Sequence, residues 1–403
     1  MLPKYGSPLI YWIGLFFLAS CKPSSTIDKF PLENLQAFPI SKKNLLLNKT
    51  GINKNAPLLD SLYTLQSIHR IPFPTNNIPL SLALQNQLKL LKLRKQSKQQ
   101  QIGNLTVQLD QLRRLNEQLV YWQNEHTSTL NESFDAYKIS GKDGKGNVYF
   151  TGYFTPVIKV DSVMSAEYPH PIFNKPKKGN WQGTLPTRQQ IDGEDVLRGL
   201  NLELAYAHSL ADIYYMQLQG SGIIEYPDGK QEYLSFTGTN KHKYRSIETN
   251  IIQSKDLKIS DVSMVGMKRF FRDHPELEKE ILFTNPSYVF FDRKRDIPHG
   301  AGHVTLTADY SIAVDPKYIP LGSTLLAAIP QVDEKGNFSH HEYRIVVAQD
   351  IGGAIRGSGH VDVYCGIGQE AQKRAMAFHQ YGNLWLLLPK QEEQHKKEIS
   401  SLN

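Results

Sequence analysis

The sequence predicts a mainly β protein with a helical region near its N-terminus. Three observations carry that reading. From about residue 145 onward, short β-branched and aromatic runs alternate with glycine and proline, the texture of strands and tight turns. Between about 80 and 125 Gly and Pro almost vanish, and leucines recur at spacings of three and four. Of the 403 residues, 40% are apolar and 21% charged, which supplies sizeable cores and excludes a disordered scaffold.

The chain opens on an address. Lys4 gives a positive start, and residues 9–18 form an apolar run of signal-peptide length, short for a membrane span. Leu18-Ala19-Ser20-Cys21 resembles the lipobox of bacterial lipoproteins, in which the cysteine is acylated and begins the mature chain. The resemblance makes 1–20 a lipoprotein signal peptide and Cys21 the lipidation site, and implies a membrane held through the lipid anchor. Three acyl chains hold firmly where one binds marginally. Lys22 rather than aspartate follows, so the expected place is the periplasmic face of the outer membrane. An ordinary signal peptide with an incidental cysteine is the alternative.

Residues 21–80 are polar and read as a tether with irregular pieces. In 81–125, Leu88, Leu91, Leu93, Leu109, Leu112, Leu115 and Leu119 mark an amphipathic helix. Packing on the protein's own body is expected because Gly103 interrupts the heptads; a coiled-coil partner is the alternative. Further on, 148–154 reads as a strand and 193–211 as a helix. Residues 214–218 and 223–226 read as strands, the second closed by the turn Pro227-Asp228-Gly229. Helices are expected at 261–271 and 275–282, and a buried strand at 345–349. A last helix is expected at 370–381, with Ala371, Ala375 and Phe378 on one face and Gly382 as its cap. Residues 389–403 form a polar tail.

Composition narrows the function. No stretch after the first 20 residues has 18 consecutive apolar residues, which excludes a multi-spanning membrane protein. Two cysteines, Cys21 and Cys365, build neither a disulfide framework nor a four-cysteine zinc site. His340, His341, His360 and His379 make no ligand set, so no metal and no cofactor is expected. A net charge of +7 is modest and spread out, and nucleic acid is not an expected partner.

The chemistry concentrates in Val347-Ala348-Gln349-Asp350-Ile351-Gly352-Gly353-Ala354-Ile355-Arg356-Gly357-Ser358-Gly359-His360-Val361-Asp362-Val363-Tyr364. Asp350 ends an apolar strand and is followed by four glycines. On the next strand, period two puts His360, Asp362 and Tyr364 on one face and Val361 and Val363 on the other. The valines suit a core; Asp362 then faces a polar or concave side, where burial and a second carboxylate raise a pKa as an acid catalyst needs. Taken alone, an aspartate among glycines is equally a turn residue.

The stretch resembles the three-aspartate domain of the membrane-bound lytic murein transglycosylase A family. Asp315, in Ala313-Val314-Asp315-Pro316-Lys317-Tyr318-Ile319-Pro320-Leu321-Gly322-Ser323, matches the first aspartate, Asp350 the second and Asp362 the third. Further blocks at 151–156, 217–222, 244–247, 285–291 and 379–382 match in order, so the resemblance covers roughly 145–388. It implies a double-psi β-barrel lobe interrupted by a second, smaller β-barrel domain, with a glycan groove between. The first lobe would take 81–157, helical region included, and 298–388; the inserted domain would take 158–297.

The implied activity is a peptidoglycan lytic transglycosylase acting on glycan strands. It cuts the β-1,4 bond between N-acetylmuramic acid and N-acetylglucosamine and leaves 1,6-anhydro ends. Most glycosidases use two carboxyls and water. Here the muramic C6 hydroxyl is the acceptor, so one carboxyl serves as acid and then as base. The match makes Asp362 that acid/base, Asp350 its orienter or charge stabiliser, and Asp315 a structural residue. For glycan binding the candidates are Tyr153 and Thr155 at a strand end and Gln219, Ser221 and Gly222 in a polar turn. Tyr153 and Tyr244 read equally as core residues with satisfied hydroxyls. Other wall-remodelling proteins are possible partners. A non-catalytic wall-binding lipoprotein is the competing reading; an aspartic protease fails because its Asp-Thr/Ser-Gly pattern is absent.

Overall fold

The computed structural model describes residues 52–67, 77–94, 99–122, 134–177, 179, 181–254, 263–294, 298–333 and 337–390. The signal run, Cys21 and most of the tether and tail lie outside the described residues.

The fold is mainly β, and two sheets carry it. The larger takes strands from both ends of the chain. They are β1 (Tyr63–Gln66), β4 (Phe134–Ile139) and β5 (Val148–Thr155), then β12 (Ser311–Val314), β13 (Thr324–Val332), β14 (Phe338–Ile351), β15 (His360–Ile367) and β16 (His379–Pro389). Their order is β1-β4-β16-β13-β14-β12-β15-β5, and β16 also pairs with β5. Six strands therefore hydrogen-bond in a ring around one apolar core, which holds Phe150, Ile312, Val346, Val361, Val363 and Leu386.

The smaller sheet comes from the intervening chain: β6 (Val157–Asp161), β7 (His170–Phe173), β8 (Glu203–Ala207), β9 (Ser221–Glu225), β10 (Gln231–Thr239) and β11 (Val289–Lys294), in the order β11-β10-β9-β6-β8-β7. Helices α3 (Leu210–Gln219), α4 (Ile247–Ser254), α5 (Met264–Asp273) and α6 (Pro275–Phe283) pack beside it around a second core of Tyr214, Ile247, Met267, Phe271 and Leu282.

The leucine-rich region is two helices. α1 (Ile78–Leu93) and α2 (Leu109–Trp122) are separated by a hairpin of β2 (Gln99–Ile102) and β3 (Leu105–Gln108). Gly103 turns that hairpin with φ +56, a left-handed conformation cheap only for glycine. Leu91, Leu112, Leu115 and Leu119 are buried; Leu88 is half-buried and Leu93 exposed. Leu84, Leu115 and Leu119 cover Ile345, Val347, Trp385 and Leu387, so the leucines pack on the protein's own body.

Three local expectations fail for identifiable reasons. Residues 203–207 form β8 instead of part of a helix, because pairing to β7 and β6 overrides the helix-forming Leu and Ala. Residues 214–218 lie in α3. Ser209 caps it by accepting from the Asp212 N–H, and Gly220 ends it at φ +81; these caps outweigh the strand preference of Tyr214 and Tyr215. The last helix, α7 (Gly368–Ala377), stops before β16, and Gly382 lies inside that strand. A Cβ on Gly382 would fall 2.1 Å from the Ala328 carbonyl oxygen, so this glycine permits a close strand approach. The helices expected at 261–271 and 275–282 are found as α5 and α6, with 261 and 262 outside the described residues, and the strands expected at 148–154 and 345–349 lie in β5 and β14.

Candidate active site

The site grows from one level of the large sheet. Ala313 on β12 pairs with Asp350 of β14 on one side and Asp362 of β15 on the other. Asp362 pairs with Thr151 of β5, and Thr151 with His379 of β16. Directly paired residues share a face, so Asp350, Ala313, Asp362, Thr151 and His379 form a row. With strands roughly 4.8 Å apart, the two aspartate backbones stand roughly 10 Å from each other.

A bulge sets this alignment. β14 pairs Ile312 with Ala348 and then Ala313 with Asp350, skipping Gln349. Without the skip, Asp350 would share the core-facing side of Val346 and Ala348. The extra residue turns it to the face of Asp362. Gln349 is fully buried: its amide donates to the Ala83 carbonyl at 3.0 Å and its side-chain oxygen accepts from Ser311 Oγ at 2.6 Å. The loop at 298–306 closes over the bulge. A Cβ on Gly300 would lie 2.6 Å from the Gln349 carbonyl oxygen and 3.0 Å from Asp350 Cβ, so only glycine fits.

The two carboxyls have different surroundings. Asp350 is ringed by donors: the Ala301 N–H at 2.7 Å and its neighbour Ile351 N–H at 2.8 Å on Oδ1, and the Tyr153 hydroxyl at 2.8 Å on Oδ2. Burial pushes its pKa up, and those three hydrogen bonds favour the charged form. Asp362 receives one hydroxyl, Thr151 Oγ1, at 2.9 Å on Oδ1. Burial is the main cause that pushes its pKa to about 7; the Thr151 bond pulls it down and the Asp350 charge adds to the rise. Thr151 Oγ1 also lies 2.8 Å from His360 Nε2. With the threonine proton directed to Asp362, His360 must donate at Nε2. Lowered by burial and by Lys142, the His360 pKa favours the neutral ring.

Asp315 stands apart from this row. It is 7% exposed, accepts from the Lys317 N–H at 3.1 Å and the Gly357 N–H at 2.9 Å, and ties the loop after β12 to the glycine loop before β15.

The remaining sequence candidates divide. Tyr153 joins the aspartates. Gln219 uses its side-chain oxygen to accept from the Phe154 N–H at 3.0 Å, linking the end of α3 to β5. Ser221, half-buried, starts β9, and its side chain bonds the Tyr233 hydroxyl. Thr155 is 1% exposed and shares a hydrogen bond with the Tyr364 hydroxyl at 3.0 Å. Gly222 is packed: a Cβ there would sit 2.3 Å from Met216 Sδ. Tyr244 is 46% exposed, so the core reading does not hold for it. Cys365 is buried, and its thiol pKa is pushed up to about 12, mainly by burial. Among the described residues no group of three His, Cys, Asp or Glu side chains can hold a metal.

Sequence reasoning misses Thr151, the Ala301 N–H and the alanine between the carboxyls. Thr151 was accessible: it lies two residues from Tyr153 on the same strand and hence on the same face. The Ala301 contact follows from a loop far away in sequence and carries no local signal.

The fold is mainly β, and it holds one buried carboxyl whose pKa is pushed up beside a second one ringed by donors, a pairing suited to acid–base chemistry. Residues 149–292 match the family model described as the MltA specific insert domain, and 310–388 match the 3D domain. Membrane-bound lytic murein transglycosylase A of Escherichia coli strain K12 is 41% identical over 257 residues, covering 63% of this chain and 69% of that protein. Its namesake from Vibrio cholerae is 33% identical over 282 residues, covering 68% and 75%. The crystal structure of Escherichia coli MltA with bound chitohexaose superposes with a TM-score of 0.70 at 31% identity, over 85% of this chain and 98% of that one. The chain belongs to the membrane-bound lytic murein transglycosylase A family.

Proposed function

We propose that this chain, an enzyme of the lytic murein transglycosylases, uses Asp362 as its single acid/base and Asp350 as the charged partner. The carrying observation is the split between the two carboxyls: Asp362 with one hydroxyl donor and a pKa of about 7, Asp350 with three donors. Paired groups with divergent environments mark acid and charge stabiliser.

Asp362 first gives its proton to the glycosidic oxygen as the C1–O bond to N-acetylmuramic acid breaks. Positive charge develops at C1 and the ring oxygen, and the Asp350 carboxylate stabilises it. Asp362, now a carboxylate, takes the proton of the muramic C6 hydroxyl while that oxygen bonds to C1. The product is a 1,6-anhydro sugar, no water is consumed, and the acid is regenerated. Both reacting groups belong to one sugar, so ring closure gains from intramolecularity.

The glycan lies across the Asp362 row, between a first lobe of residues up to about 157 plus 298–388 and an inserted lobe of 158–297. The division of strands between two sheets supports that assignment, and the chitohexaose bound by the Escherichia coli relative supports a glycan groove. Gln219 and Ser221, both half-buried, are assigned to sugar contact; Tyr153, also half-buried, spends its hydroxyl on Asp350, and Thr155 and Gly222 are buried. The six-stranded ring supports a double-psi barrel for the first lobe. Asp315 holds the glycine loop in place. The membrane-bound relatives support membrane association, which we assign to acylation at Cys21 on the periplasmic face of the outer membrane. Among the described residues no helix is long and apolar enough to cross a membrane.

The test is Asp362→Asn. The amide keeps the shape and transfers no proton, so turnover of murein should fall by roughly 10² to 10⁴-fold with glycan binding retained. Wild-type turnover in that variant would refute the assignment.

A further inference from the structure

The outer side of α1 is a surface that the reaction does not use. Its inner side is fixed by polar anchors. The Asn86 amide donates to the Thr305 carbonyl at 3.1 Å, the Gln87 amide to the Ser323 carbonyl at 2.9 Å, and Arg94 to the Leu321 carbonyl. Leu80, Ala83, Leu84, Leu90 and Leu91 are buried beside them. On the other side Ile78, Leu82, Gln85, Lys89, Lys92 and Leu93 are exposed. At 3.6 residues per turn these positions fall within one arc of about 100°. Three large apolar side chains and two lysines therefore share a face turned to solvent.

Charge marks the same face. The sequence has no Asp or Glu between Asp60 and Asp110, and six Lys or Arg in that stretch. Lys89 donates to the neutral Asn86 Oδ1 at 3.2 Å, and among the described residues neither Lys89 nor Lys92 joins an ion pair. Neighbouring α2 is balanced, with Asp110 and Glu117 against Arg113 and Arg114. Apolar side chains interleaved with unpaired cations, on a helix without acids, suit the boundary between anionic headgroups and acyl chains. A bilayer is also at hand, since the relatives are named membrane-bound. From Cys21 to Ile52 the chain reaches at most about 100 Å when fully extended. An acyl anchor at Cys21 thus keeps the body near the bilayer without choosing the side that meets it.

We propose that the outer face of α1, with Ile78, Leu82 and Leu93 beside Lys89 and Lys92, docks on an anionic phospholipid surface and orients the enzyme on its membrane. The proposal rests on the reading that Cys21 is acylated and adds which side of the body faces the lipid. The Gln349 amide donates to the Ala83 carbonyl of α1, and the Thr305 contact ties α1 to the loop whose Ala301 N–H holds Asp350. Docking of α1 therefore sets the direction of the aspartate row relative to the bilayer.

The experiment places an environment-sensitive dye on Leu82→Cys in the full acylated chain. Cys365 is buried and acylation blocks Cys21, so the dye reports α1. On vesicles of phosphatidylcholine and phosphatidylglycerol in equal parts the emission should shift to the blue, and return in high salt. On phosphatidylcholine alone it should stay unshifted. Lys89→Gln with Lys92→Gln should lower the ratio of docked to undocked helix roughly 25-fold, about fivefold for each lysine near an anionic surface, with melting temperature unchanged. Vesicle flotation reads the anchor separately. Protein that floats with an unshifted dye, or with the same shift on both kinds of vesicle, would overturn the docking and leave the anchor standing. Protein that fails to float, with an unblocked Cys21 thiol, would overturn the anchor and the docking together. Emission already shifted without vesicles would mean that a second copy or another segment of this chain covers α1, and would overturn the docking too.

Discussion

Each sheet region buries an aspartate, and the two behave differently. In the large sheet Asp362 meets the Thr151 hydroxyl, and among the described residues no ion pair involves it. In the smaller region Asp192 is 3% exposed and sits 3.3 Å from the Arg188 guanidinium, itself 3% exposed. That guanidinium lies between the rings of Tyr214 and Tyr288, at 4.9 and 5.1 Å, and also bonds the Ser287 carbonyl at 3.0 Å and Gln217. Burial raises both pKa values, Asp362 to about 7 and Asp192 to about 6, and in Asp192 Arg188 opposes the rise. A perturbed carboxyl is therefore insufficient to mark a catalyst. What separates the pair is use: Asp192 is consumed by an internal ion pair, whereas Asp362 stands in a row with a second carboxyl.

Substitutions sharpen the contrast. Asp362→Asn carries the largest effect, the loss of roughly 10² to 10⁴ in turnover already described. Next is Arg188→Met, which leaves Asp192 without its cation. It should destabilise the protein by about 3–5 kcal/mol in urea unfolding, with turnover of the folded fraction unchanged. Strong loss of turnover at full stability would instead place the Arg188 cluster in the chemistry.

Tyr153→Phe removes one of the three donors on Asp350. A hydrogen bond to a charged group is worth about 1.5–3 kcal/mol, so turnover should fall by at least about 10-fold, with KM for glycan nearly constant. An equal rise in KM would make Tyr153 a sugar contact instead. The smallest expected effect is Thr151→Val. With Asp362 as the proposed acid, activity requires its protonated form and should decline as pH rises through about 7. The Thr151 bond favours the charged form, and without it the pKa rises further. The alkaline limb of the pH–rate profile should move up by about one unit. A limb that stays in place, or moves down, contradicts the role given to Thr151.

Legibility in the sequence followed periodicity. Val361 and Val363 lie in the large core and Asp362 on the opposite face, as period two requires. The alignment of Asp350 with Asp362 was not readable in the same way. Period two along β14 puts Asp350 with Val346 and Ala348, and the bulge at Gln349 reverses it. The bulge depends on partners from α1 and β12, so it is a tertiary fact. The helix and strand errors in 193–218 have the same origin. Strand pairing and helix caps outvote composition there, with Gly220 terminating α3 in a left-handed conformation. The binding candidates, Thr155 at a strand end and Gly222 in the polar turn with Gln219 and Ser221, carry no sequence signal that ranks them; only packing separates the buried hydroxyl and the crowded glycine from the half-buried Gln219 and Ser221.

The identity of the acceptor tests the central claim most directly. Purified murein is digested by the wild-type enzyme in water enriched in heavy oxygen, and the released fragments are weighed by mass spectrometry. If Asp362 serves first as acid and then as base toward the C6 hydroxyl, every new muramic end is a 1,6-anhydro sugar with no solvent oxygen at C1. Reducing muramic ends carrying heavy oxygen at C1 would mean that water is the nucleophile, and would contradict the account.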